Sequence, residues 1–263
     1  MQRILPAIMG VEALSIEALS LGDILWMGAA AFVSALVSGM GGFGGSFVLV
    51  LALSPLVGAK AVVPLIGVFA LVSNIARLIA YRRDVVWRTA WLIFLASLPG
   101  VWLGATFLRG LSDQGAAILL GSTLIAAVPV NRLLAMRGVT LGTKGLLALG
   151  LVFGVMSGAT VGSGMLAIAG LMSHGLAGAL LLGTDAALGL MSAVARLVVY
   201  REMHMLDANL VIAGLAMSAM TFPGTWIARA AVTRMGMATH RRIMEVLILG
   251  GGVFILIQTF PVW

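Results

Sequence analysis

Two arginines, one aspartate and two glycine-rich runs hold most of the chemistry this sequence can offer. Arg77 and Arg196 each lie inside a long apolar stretch, and Asp185 is the acid deep in another, Leu180-Leu-Leu-Gly-Thr-Asp-Ala-Ala-Leu-Gly189. Gly39-Met-Gly-Gly-Phe-Gly-Gly45 puts five glycines in seven residues, again within an apolar run. In a regular helix each glycine costs about 1 kcal/mol relative to alanine. A break at membrane depth also frees backbone groups that need protein or a cavity around them. Cations inside apolar segments usually face a cavity, and the N–H groups opening a half-helix favour negative charge. This combination of groups suits an anion.

Other chemistries fit less well. Gly39 to Gly44 formally satisfies G-x-G-x-x-G, but no strand precedes it and the next acid is Asp84, so it is not a dinucleotide loop. No Gly-Lys-Ser/Thr follows to make a phosphate-binding loop. Intramembrane aspartyl proteolysis needs two carboxylates, and only Asp185 qualifies; a His-Glu-x-x-His helix is missing. His174, His204 and His240 lie on three separate loops or ends with no metal-ligand spacing. With no Cys, disulfides, thiolate metal sites and cysteine nucleophiles drop out together. The sequence therefore predicts no enzyme, no metal and no cofactor.

The elements that must position these groups are membrane helices. The 263 residues are 61% hydrophobic and 10% charged, against about 25% charged in ordinary soluble domains. The formal charge of +7 is spread between apolar runs rather than gathered on one soluble face, which fits basic cytoplasmic loops and argues against nucleic acid. Glycine, proline and charge clusters mark hydrophobic blocks at 22–54, 60–82, 88–109, 114–134, 145–173, 177–200, 207–230 and 242–260. Their lengths suit helices, since barrel strands would be about half as long. Residues 1–21, interrupted by Glu12 and Glu17, read as an interfacial segment rather than a signal peptide.

The blocks repeat. A shift of 119 residues lays Gly39-Met-Gly-Gly-Phe-Gly-Gly45 on Gly158-Ala-Thr-Val-Gly-Ser-Gly164. It also lays Ser73-Asn-Ile-Ala-Arg77 on Ser192-Ala-Val-Ala-Arg196, and Tyr81-Arg82 on Tyr200-Arg201. With five extra residues in the second copy, Pro99-Gly-Val-Trp102 matches Pro223-Gly-Thr-Trp226. Four matches in one order indicate a tandem duplication. The first membrane repeat is 22–134, a basic linker covers 135–144, and the second repeat is 145–263.

Charge decides between two topologies. If each glycine block crosses straight through, one face receives Arg3, Arg82, Arg83, Arg88, Arg132, Arg137, Lys144 and Arg201, and the other Lys60, Arg109, Arg229, Arg234, Arg241 and Arg242. That is no useful bias. If each block is a re-entrant hairpin, Arg82, Arg83, Arg88, Arg132, Arg137, Lys144, Arg229, Arg234, Arg241 and Arg242 share a face against Arg3, Lys60, Arg109 and Arg201. The second count obeys the positive-inside rule. It also makes the halves inverted, as in many secondary transporters, with both termini outside. The expected fold is an all-α polytopic membrane protein of two inverted four-segment repeats, each opening with a glycine-broken helix.

The expected anion site gathers Gly41, Gly42, Gly44, Gly45 and Ser46 from the first break and Thr160, Gly162, Ser163 and Gly164 from the second. Arg77, Arg196 and Asn74 join it. Helix packing is the plainer account of Gly41/Gly45 and Gly158/Gly162, which are spaced as G-x-x-x-G. Snorkelling is the plainer account of the arginines. Asp185, which has Ile66 at its equivalent position, reads as a proton-coupling site or a partner for an arginine, or as an acid bonded locally to Thr184 or backbone. Pro99-Gly100 and Pro223-Gly224 read as hinges or as packing kinks.

The glycine break opening each half, followed one span later by Ser-x-x-x-Arg-x-x-x-Tyr, resembles the TauE/SafE family of sulfite exporters and toluenesulfonate-uptake permeases. The likeness covers residues 22–260. It implies a multi-pass protein of the bacterial inner membrane whose partners are lipid and a small sulfur-containing anion. The function expected is a secondary transporter moving sulfite or an organosulfonate, by export, through alternating access. An anion channel, or proton-coupled uptake of a related carboxylate or sulfonate, are the alternatives.

Overall fold

The computed structural model describes residues 21–41, 45–136, 141–224, 227 and 253. Gly42 and Gly44, most of the N-terminal segment, residues 137–140 of the linker and nearly all of the last hydrophobic block lie outside the described residues. Among the described residues there are nine helices and no strand. They are α1 (Leu21–Gly41), α2 (Gly45–Val57), α3 (Ala59–Tyr81), α4 (Trp87–Gly110), α5 (Asp113–Met136), α6 (Thr143–Ala159), α7 (Gly164–Ser173), α8 (Gly178–Glu202) and α9 (Ala208–Ser218). A further helical turn covers 221–224. The six expected blocks between residues 22 and 200 agree with these to within a few residues, and each glycine run separates two helices; the end of the block at 207–230 and nearly all of that at 242–260 lie outside the described residues. Three of the described helices, within α3, α4 and α8, are long and apolar enough to cross a membrane.

Both glycine runs reverse the chain. Trp26 Nε1, near the start of α1, donates to the carbonyl of Ala52, near the end of α2, at 2.9 Å. A continuous helix would hold those residues about 39 Å apart. In the second copy the amide of Leu141 donates to Ser173 O at 2.8 Å, and His174 Nδ1 lies 2.8 Å from Leu141 O. Gly170 of α7 packs against the Leu149 side chain of α6. Each copy is thus an antiparallel helical hairpin closed at its open end. The tips meet each other. Gly162 has φ +90, and a Cβ there would collide with the Phe47 ring in the first turns of α2. Only glycine meets both demands at low cost.

α3 and α8 pack on each other in opposite directions. Arg77 reaches Asp185, Gly189 lies against Asn74, and Gly67 lies against Arg196 and Leu197. As the α3 number falls, the α8 number rises. These pairings are nearly self-consistent under the 119-residue shift.

Another long contact joins α4 to α6 through glycine. Gly100 and Gly104 on α4 face Leu151, Val155 and Ala159 of α6, while Gly150, Gly154 and Gly158 on α6 face Ile93, Ser97, Val101 and Ala105 of α4. Small residues every fourth position let two backbones approach closely, which is how helices associate where lipid removes any hydrophobic drive. Gly224 plays the same part against Phe32 and Ala35 of α1. So each Pro-Gly helix lies against the first hairpin arm of the opposite copy. The outer face of α4 carries Trp87, Trp91, Leu95, Leu98 and Trp102, all exposed, at a spacing that makes one lipid-compatible stripe. This is a multi-pass membrane protein.

Candidate functional site

The inner faces of α3 and α8 enclose a cavity of about 120 Å³ between the two hairpin tips, room for a small oxyanion or several waters. On α3 the wall is Ile66, Phe69, Ala70, Ser73, Asn74 and Arg77. On α8 it is Asp185, Gly189, Ser192, Ala193 and Arg196. Both sets recur at three- and four-residue intervals, so each lies on one helical face. They are also equivalent: the 119-residue shift carries Ile66 to Asp185, Ala70 to Gly189, Ser73 to Ser192, Asn74 to Ala193 and Arg77 to Arg196. Ser38, ending the first hairpin arm, and its equivalent Ser157 line the cavity as well. One cavity is therefore walled twice by the same piece of sequence.

The hairpin tips contribute Ser46 from the start of α2 and Gly162, Ser163 and Gly164 from the start of α7. Both helices begin at the cavity, so their unpaired N-terminal N–H groups and positive dipole ends lie beside it. Thr160 is buried outside the lining, and its hydroxyl has no hydrogen-bond partner among the described residues. Gly45 is buried against Ser34 and Ser38 of α1 rather than lining the cavity, and Gly41 ends α1.

The two arginines are held differently. Arg77 Nη2 donates to Asp185 Oδ2 at 2.6 Å, and Nη1 reaches Asn74 Oδ1 at 3.4 Å. Both arginines line the cavity. Arg196 is 7% exposed and donates through Nη1 to the carbonyl of Ser157 at 3.3 Å, while its Nε has no partner among the described residues. Tyr200 Oη donates to Gly158 O at 2.8 Å and lies 3.4 Å from Ser157 O. These carbonyls belong to the last turn of α6, which has no further turn to accept from. Arg196 and Tyr200 therefore cap α6 where it stops inside the protein, and the cation meets the negative end of that helix. Ser157 Oγ and Ser192 Oγ lie 3.1 Å apart beneath them.

Asp185 takes the arginine partnership rather than a local bond. Thr184 is engaged elsewhere: its hydroxyl donates to Leu180 O at 2.6 Å and accepts from Val86 N at 3.0 Å, tying α8 to the α3–α4 connection. The sequence reading left out Ser38, Ser157, Phe153, Ser73, Ser192 and Gly189 as lining residues. The signal was available, because the same shift that pairs the glycine runs also pairs Ser38 with Ser157 and Ser73 with Ser192. Pro99 and Gly100 lie within continuous α4, and Gly100 and Gly224 both sit at close backbone contacts.

A site with two guanidinium groups, one carboxylate, several hydroxyls and two half-helix N-termini carries net positive character in a low-dielectric setting, which is chemistry for holding an anion. The model of the family described as sulfite exporter TauE/SafE matches residues 27–255. No curated protein and no solved structure matches the chain.

Proposed function

Because the chain belongs to the sulfite exporter TauE/SafE family, we propose that it is a secondary transporter of a small sulfur-containing anion, sulfite or an organosulfonate. It works across the bacterial inner membrane by alternating access. The observation that carries this reading is Arg196, a buried cation on the cavity wall with an unpartnered Nε and no carboxylate in contact among the described residues. A buried charge persists only when something compensates it. Here the end of α6 does so in part, and the arriving anion does the rest.

The inverted-repeat plan is part of the proposal. Antiparallel packing of equivalent helices α3 and α8 supports it, as do two closed hairpins whose tips meet. In this plan the hairpins are re-entrant, and Ser46, Ser163 and the N-termini of α2 and α7 face the substrate beside Asn74, Arg77 and Arg196. Gly41, Gly45 and Thr160 lie at or beside the tips. Rocking of one copy against the other would slide along the glycine contacts at Pro99-Gly100 and Pro223-Gly224. Export is the favoured direction, because an inside-negative potential drives an anion outward by about 2.3 kcal/mol per charge per 100 mV.

The experiment is efflux of sulfite from proteoliposomes under an imposed potassium-diffusion potential. The expected result is saturable efflux that rises with inside-negative potential and shows counter-transport. Linear flux without counter-transport would identify a channel instead. Uptake that requires an inward proton gradient and fails in Asp185→Asn would favour the proton-coupled permease.

A further inference from the structure

The cavity contains an internal counter-anion, and its presence sets the charge of what the cavity can hold. Its lining includes three ionisable groups: Arg77, Arg196 and Asp185. Two of them cancel. The Asp185 carboxylate holds Arg77 at 2.6 Å, and Asn74 occupies a second edge of that guanidinium. Arg196 keeps its formal charge: among the described residues its Nε is unpartnered and its Nη1 donates to a neutral carbonyl at 3.3 Å. The site as built therefore carries a formal charge of one, not the two that a symmetric duplication would give. The difference traces to one position, since the first copy has Ile66 where the second has Asp185.

Resting on the anion-transport reading, we infer that Asp185 is a specificity-determining residue that restricts the substrate to monovalent anions, such as a monosulfonate or hydrogensulfite. A monovalent oxyanion brings the three groups to neutrality. A divalent anion leaves an excess negative charge in a low-dielectric cavity, facing a carboxylate already inside it, and that charge has no cation left to meet. Asp185 thus acts as a tethered stand-in for the second negative charge and occupies the arginine that a dianion would need. Removing the carboxylate while keeping its shape frees Arg77 to meet an anion in the cavity and raises the formal charge to two.

The test compares two anions of similar size that are fully ionised at neutral pH, methanesulfonate and sulfate, and differ by one charge. Uptake of each, isotopically labelled, is measured in proteoliposomes of the full chain at one pH with no imposed potential. The wild-type protein is expected to favour methanesulfonate by at least about tenfold, the scale of one unit charge at close range in a protein. Asp185→Asn is expected to shift the sulfate-to-methanesulfonate ratio toward sulfate by about tenfold or more. The double variant Arg77→Gln/Asp185→Asn, again with one net charge, is expected to return the preference to methanesulfonate. Wild-type protein that carries sulfate as well as methanesulfonate overturns the inference and leaves anion transport standing, even if Asp185→Asn does not fold. An unchanged ratio in a folded Asp185→Asn protein overturns it too. Absence of flux for both anions and for sulfite removes the transport reading itself.

Discussion

In α8, Arg196 is buried against the Ser157 carbonyl and Tyr200 caps the end of α6, while in α3 the equivalent Arg77 leans across to Asp185. Tyr81, the equivalent of Tyr200, is half-buried, and its hydroxyl makes no hydrogen bond among the described residues. The motif Ser-x-x-x-Arg-x-x-x-Tyr is the same in both copies, so the motif does not dictate where its arginine rests. The surroundings do. In the second copy the arginine meets a helix end whose carbonyls need donors. In the first copy a carboxylate from the other half competes, and a charged acceptor outbids neutral carbonyls by roughly a factor of two in hydrogen-bond strength. A single acid in place of an isoleucine is enough to make two equivalent halves behave differently.

The sharpest way to break that asymmetry is to remove Arg77 alone. Arg77→Gln strands Asp185, which is 5% exposed, without its cation. Leaving one member of a buried pair alone costs about 3–5 kcal/mol. Thermal unfolding in detergent should show the loss. The double variant Arg77→Gln/Asp185→Asn should recover most of it, because two neutral amides can bond to each other. A single variant as stable as the wild type would mean that Asp185 has another partner and that the two copies differ for some other reason.

Arg196→Gln should act on transport more than on folding. The amide can still donate to the Ser157 carbonyl, so the cap on α6 survives in weakened form. The charge facing the anion is lost, and hydrogen bonds to charged groups are worth about 1.5–3 kcal/mol, so sulfite flux should fall by roughly tenfold to a hundredfold. Unchanged flux in this variant would sink the site as drawn, and with it the idea that the two arginines have divided structural and binding work between them.

Much of this was legible in the sequence because it is periodic. Apolar blocks mark the helices, and the glycine clusters mark where the chain turns, since each glycine in a run costs a regular helix about 1 kcal/mol and frees backbone groups that need protein around them. The 119-residue shift pairs Arg77 with Arg196 and marks Asp185 as an acid without a counterpart, and all three line the cavity together with Asn74. Pairwise contacts across the repeat were harder to read. That Asp185 reaches Arg77 rather than Arg196 depends on α3 and α8 crossing antiparallel, which no spacing within either helix reveals. Gly158 reads in the sequence as part of a break, yet it also ends the run Gly150-x-x-x-Gly154-x-x-x-Gly158 that packs on α4. A glycine can do both, and one sequence alone does not say which helix it meets. Ser38 and Ser157 do not stand out in the sequence, because an isolated serine in an apolar run has no pattern until its equivalent is placed beside it.

The smallest expected effect offers the cleanest comparison, because it changes one atom at equivalent positions. Tyr200→Phe removes the hydroxyl that donates to Gly158 O at 2.8 Å, in a residue with 0% exposure. The lost bond and the carbonyl left without this donor together cost about 1–2 kcal/mol. The end of α6 would loosen with it, since Tyr200 and Arg196 share that turn. Tyr81→Phe removes a hydroxyl with no partner among the described residues and should stay within about 0.5 kcal/mol of the wild type. Unfolding midpoints of the two variants in the same detergent measure the difference directly. If Tyr81→Phe proves as costly as Tyr200→Phe, then Tyr81 spends its time bonded to the end of α1, near Ser38, as Tyr200 is bonded near Ser157. Such a result would mean that the two copies exchange roles, each capping its hairpin arm in turn. The asymmetry would then be a conformation the protein passes through and not a fixed property of its sequence.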